Sequence, residues 1–187
     1  MAFWSDAAEG MKDPKRQYRW ILVNDHIPSW TLKKVAKPSY TVSETSHKYI
    51  NHTYWYPGRV EWNTISLTLA DPVDPDAAAT VTQIIRSSGY SPALSADALD
   101  TMSKAKATTA LGQIQIQQID GNGEAVETWT LWNAWIKDVK YGELDYDGDE
   151  MTDVEIELRY DWAYLETNRP GTQGTNAFFT PGTAGSS

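Results

Sequence analysis

The chain has 187 residues, no cysteine and a formal charge of −9. That length buries a core without disulfides, and the missing thiols exclude a disulfide framework and a thiolate metal site. No apolar run reaches the roughly 18 residues of a membrane helix, and the opening MAFWSDAAEGMKD has neither the basic nor the apolar region of a secretion signal, so the sequence predicts a soluble cytosolic protein with no membrane segment.

Charge is uneven along the chain. Residues 1–60 carry nine Lys/Arg against five Asp/Glu, and residues 61–187 carry seven against twenty. The basic footprint of a static nucleic-acid binder is absent. The asymmetry suits self-association of a basic face with an acidic one, or two ordinary solvated surfaces. Nine Trp and ten Tyr against three Phe favour half-buried strands and subunit interfaces.

In chain order, residues 3–11 read as a short helix and RQYRWILVN (16–24) as a strand ending in the turn-prone NDHIPS. Residues 40–49 and 52–60 flank Asn51 as a polar hairpin, an arm of the kind that lies on something else. RVEWNTISLTL (59–69) is a strand with Ile65, Leu67 and Leu69 on one face. A helix over 75–88 follows, with Asp74 as its cap, Pro75 in the first turn and Gly89 as its stop. Residues 91–110 read as a loop with a possible helical turn. QIQIQQI (113–119) and ETWTLWNAWI (127–136) flank the turn DGNGE as a second hairpin. Residues 138–147 and 151–164 form a third around Asp147-Gly148, with Val154, Ile156, Leu158, Tyr160 and Trp162 opposite Asp153, Glu155, Glu157, Arg159 and Asp161. The Gly/Pro/Ser/Thr-rich tail 167–187 reads as extended, with Phe178 and Phe179 able to dock on a neighbour.

Catalytic and cofactor signals are missing. Asp145, Asp147 and Asp149 match positions 1, 3 and 5 of a calcium loop, but position 6 is Glu150 rather than Gly and position 12 is Ile156 rather than Glu. His47 and His52 flank a hairpin tip without a third ligand, GNG (121–123) precedes a strand rather than a helix, and no nucleophile elbow occurs. The expectation is a non-enzyme with no cofactor and no catalytic or metal residue.

Four segments in order carry a resemblance: RQYRWILVN, then KYINHTYWYPGRVEWNTISLTLADP, then DPDAAATVTQIIRSSG, then NAWIKDVKYGELDYDGDEMTDVEIELRYDWAYLE. Together they resemble the tail-tube proteins of contractile-tailed bacteriophages, a superfamily shared with type VI secretion tubes, over residues 13–166. The resemblance implies a mainly β chain, an antiparallel β-sandwich closing toward a barrel with one flanking helix, over residues 1–166. It implies hexameric rings with a continuous inner β-barrel, stacked into a tube that conducts double-stranded DNA inside a contractile sheath. Implied partners are further copies, the sheath, the tape-measure, baseplate and tail-terminator proteins, and double-stranded DNA in transit; the location is the virion tail, assembled in the host cytoplasm. A baseplate tube initiator, a type VI tube protein and a monomeric carbohydrate-binding β-sandwich are the alternatives. On this reading Glu44, Ser46, Gln113, Gln115, Gln117, Thr128 and Thr130 face the lumen. Tyr40, Val42, His47, Tyr49, His52, Tyr54, Trp55 and Tyr56 belong to an intersubunit arm. Lys12, Lys15, Arg16, Lys33 and Lys34 meet Asp145, Asp147, Asp149 and Glu150 between rings.

Overall fold

The computed structural model describes residues 5–6, 10–11, 14–93, 99–168 and 175–179. β1 (Ser5–Asp6) and β2 (Gly10–Met11) pair as a short antiparallel ladder where a helix over 3–11 was expected. β3 (Trp20–Val23) is shorter than the expected strand, because Arg19 N–H donates back to Arg16 O (3.2 Å) and closes a turn ahead of it. A single 3-10 turn (Ser29–Thr31) leads into β4 (Leu32–Val35). β5 (Tyr40–Tyr49) and β6 (His52–Trp62) form the expected hairpin, turning through Ile50 at φ 54°.

The rest of the chain is β7 (Ile65–Ala70), α1 (Ala77–Ser87), α2 (Lys104–Leu111), β8 (Ile114–Ile119), β9 (Ala125–Trp132), β10 (Trp135–Lys140), β11 (Asp153–Arg159), β12 (Trp162–Asn168) and β13 (Thr175–Phe178). One sheet runs β10–β11–β7–β4 and the other β13–β12–β9–β8–β3, antiparallel throughout. Period-two alternation explains which faces meet. Ile65, Leu67, Leu69, Val154, Ile156 and Leu158 from the four-stranded sheet share one core with Leu22, Ile114, Ile116, Leu131 and Ala163 from the five-stranded sheet. Each such Leu, Ile or Val side chain contributes roughly 1.5–3 kcal/mol relative to exposure. The two sheets stay open. A single chain forms no closed barrel.

Three long expected strands are each cut in two, at places where the alternation slips by one residue. Leu131 and Ala134 are both buried, so 127–136 breaks at Asn133 (φ 53°) and the chain crosses from one sheet to the other. Tyr160 and Ala163 are both buried, so 151–164 breaks and crosses back, with Asp161 N–H donating to Trp132 O at 3.0 Å. Trp62 and Ile65 mark the same slip, and Asn63 closes the corner by donating from its backbone to Ser39 O at 2.9 Å. β10 and β11 form the expected terminal hairpin, but residues 141–152 join them as an exposed loop rather than a tight Asp-Gly turn.

Two helices flank the sandwich where one was expected. The cap of α1 is Asp76, not Asp74: its carboxylate accepts from Ala79 N–H (2.7 Å), while Asp71 accepts from Ala77 and Ala78 N–H. α2 lies inside the expected loop, capped by Ser103 and stopped at Gly112 (φ 73°), with Ala107 and Leu111 buried. Its apolar stripe is only two residues wide, so little in its own sequence marks it. The two helices pack on each other and α2 packs on β10. No helix among the described residues is long and apolar enough to cross a membrane.

Candidate functional site

The β5–β6 arm leaves the sandwich and, among the described residues, pairs with no other strand. Every residue of β5 is exposed, as is nearly all of β6. Directly opposed residues share a face, so Val42/Val60, Glu44/Pro57 and Ser46/Trp55 line one side. Thr45/Tyr56, His47/Tyr54 and Tyr49/His52 line the other, where the His52 and Tyr54 rings meet edge to face at 4.7 Å. Trp55 is 61% exposed. A two-stranded ribbon with aromatic residues free on both faces is marginal in water by itself. Its root is fixed. Trp62 packs against Tyr40 (5.1 Å), Tyr160 (5.9 Å) and Phe179 (6.0 Å), so Phe179, read as able to dock on a neighbour, makes its ring contact within its own chain.

The expected lumen residues fall on two separate elements. Glu44 and Ser46 are on the arm. Gln115 opposes Thr130, and Gln117 opposes Thr128, on the outer face of the five-stranded sheet, while Gln113 is exposed just before β8. The rows Ile21–Gln117–Thr128–Glu166 and Val23–Gln115–Thr130–Tyr164 hold one acid and no base. One member of this set departs from expectation. Thr130 is 0% exposed, enclosed between its longer neighbours Gln115 and Tyr164, and its hydroxyl has no hydrogen-bond partner among the described residues. It cannot face water. At the end of this face Trp132 and Trp162 stack at 5.5 Å and 21°. Asp161 beside them accepts from Lys104 (2.6 Å) and Asn133 (2.7 Å); burial pushes its pKa up, but these donors hold it below the usual carboxylate range.

The charge pattern of β11 is that of a solvated sheet face with lysine partners. Lys137 pairs with Glu157 (3.1 Å), Lys140 with Glu155 (3.7 Å) and Lys33 with Asp153. Hydrogen bonds from Thr64 and Lys137 lower the Glu157 pKa. Asp145, Asp147, Asp149 and Glu150 are elsewhere, on the exposed 141–152 loop, and among the described residues no three His, Asp or Glu side chains converge on a metal position. Lys12 lies outside the described residues. Arg16 is exposed before β3.

Sequence reasoning missed Glu127. Although charged, it is 8% exposed, on the inward face of β9. Its carboxylate accepts from Lys15, from Lys37 (2.6 Å) and from the Trp129 indole N–H (2.6 Å). Lys37 also donates to the Gln118 side chain (2.7 Å), whose amide donates to Arg16 O (3.2 Å). Burial pushes the Glu127 pKa up, but the three donors outweigh it and bring it to about 2. The signal was present in the alternation, because Glu127 shares its face with Trp129 and Leu131. Its partners, far away in sequence, were not legible.

No protein-family model matches the sequence, and no curated protein matches it. Solved structures do. A chain from the cryo-EM structure of the anti-feeding prophage tube-terminating cap aligns over 90% of this chain and 100% of its own, at 18% identity and a TM-score of 0.64. A chain from the extended sheath–tube complex of the PVC extracellular contractile injection system aligns over 88% and 99%, at 19% identity and 0.60. One from the anti-feeding prophage baseplate aligns over 83% and 97%, at 16% identity and 0.59. With its mainly antiparallel sandwich and flanking helices, this chain shares the fold of these chains from contractile injection particles.

Proposed function

We propose that the chain is a tail-tube protomer, forming hexameric rings that stack into a tube within a contractile sheath and conduct double-stranded DNA. The observation that carries this reading is the β5–β6 arm, a ribbon exposed on both faces whose Tyr49, Tyr54, Trp55 and Tyr56 are left uncovered by the described residues. Further copies of the chain supply that cover, and a closed ring leaves no open sheet edge. Sheath, tape-measure, baseplate and terminator proteins are the proposed partners, and the tail of an assembled particle the proposed location. Negative-stain microscopy of the purified chain at rising concentration tests the reading: rings and tubes are expected. Single rings that never elongate favour a tube initiator, and a persistent monomer removes the proposal.

A monomeric sugar-binding module has one observation on its side, the stacked Trp132 and Trp162 beside Asp161 and Asn133. A monomer that binds oligosaccharide, with binding lost in Trp162→Ala, decides for that module.

The outer face of the five-stranded sheet supplies the lumen wall in this reading, through Gln113, Gln115, Gln117 and Thr128. A wall without bases gives DNA no phosphate contacts to hold it, so it passes freely. Gln115→Lys adds six cations per ring, and the half-buried position lets the long side chain reach water. Tubes of this variant are expected to assemble normally but release DNA at least several-fold more slowly, with high salt restoring the rate. Unchanged release kinetics from well-formed tubes remove residue 115 from the lumen.

A further inference from the structure

Two groups of acids contrast in this chain. On or beside the sheets, Glu127, Asp153, Glu155, Glu157 and Asp161 each face a lysine of the same chain. In the 141–152 loop, Glu143, Asp145, Asp147, Asp149 and Glu150 have no cationic partner among the described residues. The same loop exposes large apolar groups. Tyr146 is fully exposed and Leu144 is 90% exposed, at a turn where Asp147 N–H donates to the Asp145 carboxylate (3.1 Å). An aromatic ring held in water on a projecting turn, between unpaired carboxylates, has the form of an interface anchor without its interface.

A receptor of matching chemistry lies on the same chain. Between β3 and β4, the edge strands of the two sheets, runs a groove of about 590 Å³. Trp20, Val35 and Trp129 give it an apolar lining, and Lys15, Lys33, Lys34 and Lys37 give it a cationic one. Lys15 and Lys37 share Glu127 and Lys33 pairs with Asp153, while Lys34 has no partner among the described residues. Four cations face two acids, so the groove keeps a net positive charge that its own chain does not neutralise.

We infer that the 141–152 turn of one copy docks in the β3–β4 groove of another, with Tyr146 on the apolar lining and Asp145 and Asp147 against Lys33 and Lys34. This rests on the tube reading and names the contact that joins its copies. Turn and groove are different surfaces, so the contact is head-to-tail and each copy offers both halves. Such contacts propagate, giving a ring or a stack rather than an isolated dimer. A repeated assembly also explains why individually weak exposed charge pairs suffice, since each is multiplied by every copy.

The cysteine-free chain makes the test direct. Chains carrying Asp147→Cys are mixed with differently tagged chains carrying Lys34→Cys, assembled and oxidised. Disulfide-linked heterodimers are expected in the pelleted assemblies and not after dilution below the assembly threshold. Tyr146→Ser, at a fully exposed position, is expected to leave the monomer's circular dichroism and melting unchanged while raising the assembly threshold about tenfold or more. Asp147→Lys and Lys34→Glu are expected to impair assembly singly and restore it when combined in one chain. Tubes that form without heterodimers, or a Tyr146→Ser chain that assembles like the parent, overturn this contact and leave the tube reading standing. A parent chain that stays monomeric at every concentration overturns both.

Discussion

Deletion of residues 44–52 is expected to give a chain that folds, melts close to the parent temperature and forms no tubes at any concentration. The stability half of this result follows from where the core lies. No buried core residue falls within the arm, and the aromatic root of Tyr40, Trp62, Tyr160 and Phe179 lies outside the deletion. Changes at exposed positions away from such features shift stability by only about ±0.5 kcal/mol. The assembly half follows from what the deletion removes: Glu44, Ser46, His47 and Tyr49, the tip, and the pairing partners of Tyr54, Trp55 and Tyr56. Without β5 opposite them, those three aromatic residues lose the ribbon that presents them. Thermal denaturation followed by circular dichroism reads the first half, and sedimentation with microscopy the second. Tubes formed by the deleted chain would show that the arm is not an intersubunit element, whatever its exposure.

How much was legible depends on the range of the interaction that decides each feature. The arm was read to the residue at its tip, because Asn51 and the flanking polar strands form a local signal. The buried faces of β7 and β11 were equally plain, since Ile65, Leu67, Leu69 and Val154, Ile156, Leu158 alternate without a break. The sheet-to-sheet crossings at Asn133 and Asp161 were not read, although each carries a one-residue slip in the alternation. A slip is visible in sequence only to a reader who already knows which apolar residue is the last one inside. The helix α2 was lost for the opposite reason. Its Ala, Lys and Thr residues give a weak apolar stripe, and its packing on α1 and β10 decides its existence. At Thr130 the expected exposure failed, because enclosure by Gln115 and Tyr164 is a property of strand order rather than of β9 itself.

The acidic stretch from Asp145 to Glu166 divides along the same line. Its alternating half, Asp153 to Asp161, looked like an excess of negative charge, yet the fold brings Lys33, Lys137, Lys140 and Lys104 to it. Its loop half received no such partners. Charge composition therefore overstated the acidity of the sheet face, while the loop acids keep theirs.

Glu127 carries the prediction with the largest effect on the folded monomer. Its pKa is depressed to about 2 from an ordinary 4.5, so the folded state holds the carboxylate charged where the unfolded chain would protonate it. The resulting stabilisation is present in full above about pH 4.5 and is lost as the pH falls toward 2. A shift of this size corresponds to about 3 kcal/mol at neutral pH. Asp161, Glu157 and Asp120 also have lowered values, so the parent's acid limb alone does not isolate Glu127. The comparison with Glu127→Gln does. The amide preserves shape and an acceptor for Trp129, but it leaves Lys15 and Lys37 without their counter-charge and removes the titration. Urea unfolding at pH 7 is expected to show Glu127→Gln less stable by about 2–3 kcal/mol, within the usual cost of breaking a buried charged hydrogen-bond network. The gap should narrow steadily below pH 4.5 and close near pH 2. Two stability curves that stay parallel from pH 7 to pH 2 would mean that Glu127 is not held ionised by its lysines, and that the strap from Lys15 and Lys37 onto β9 adds no pH-dependent stability.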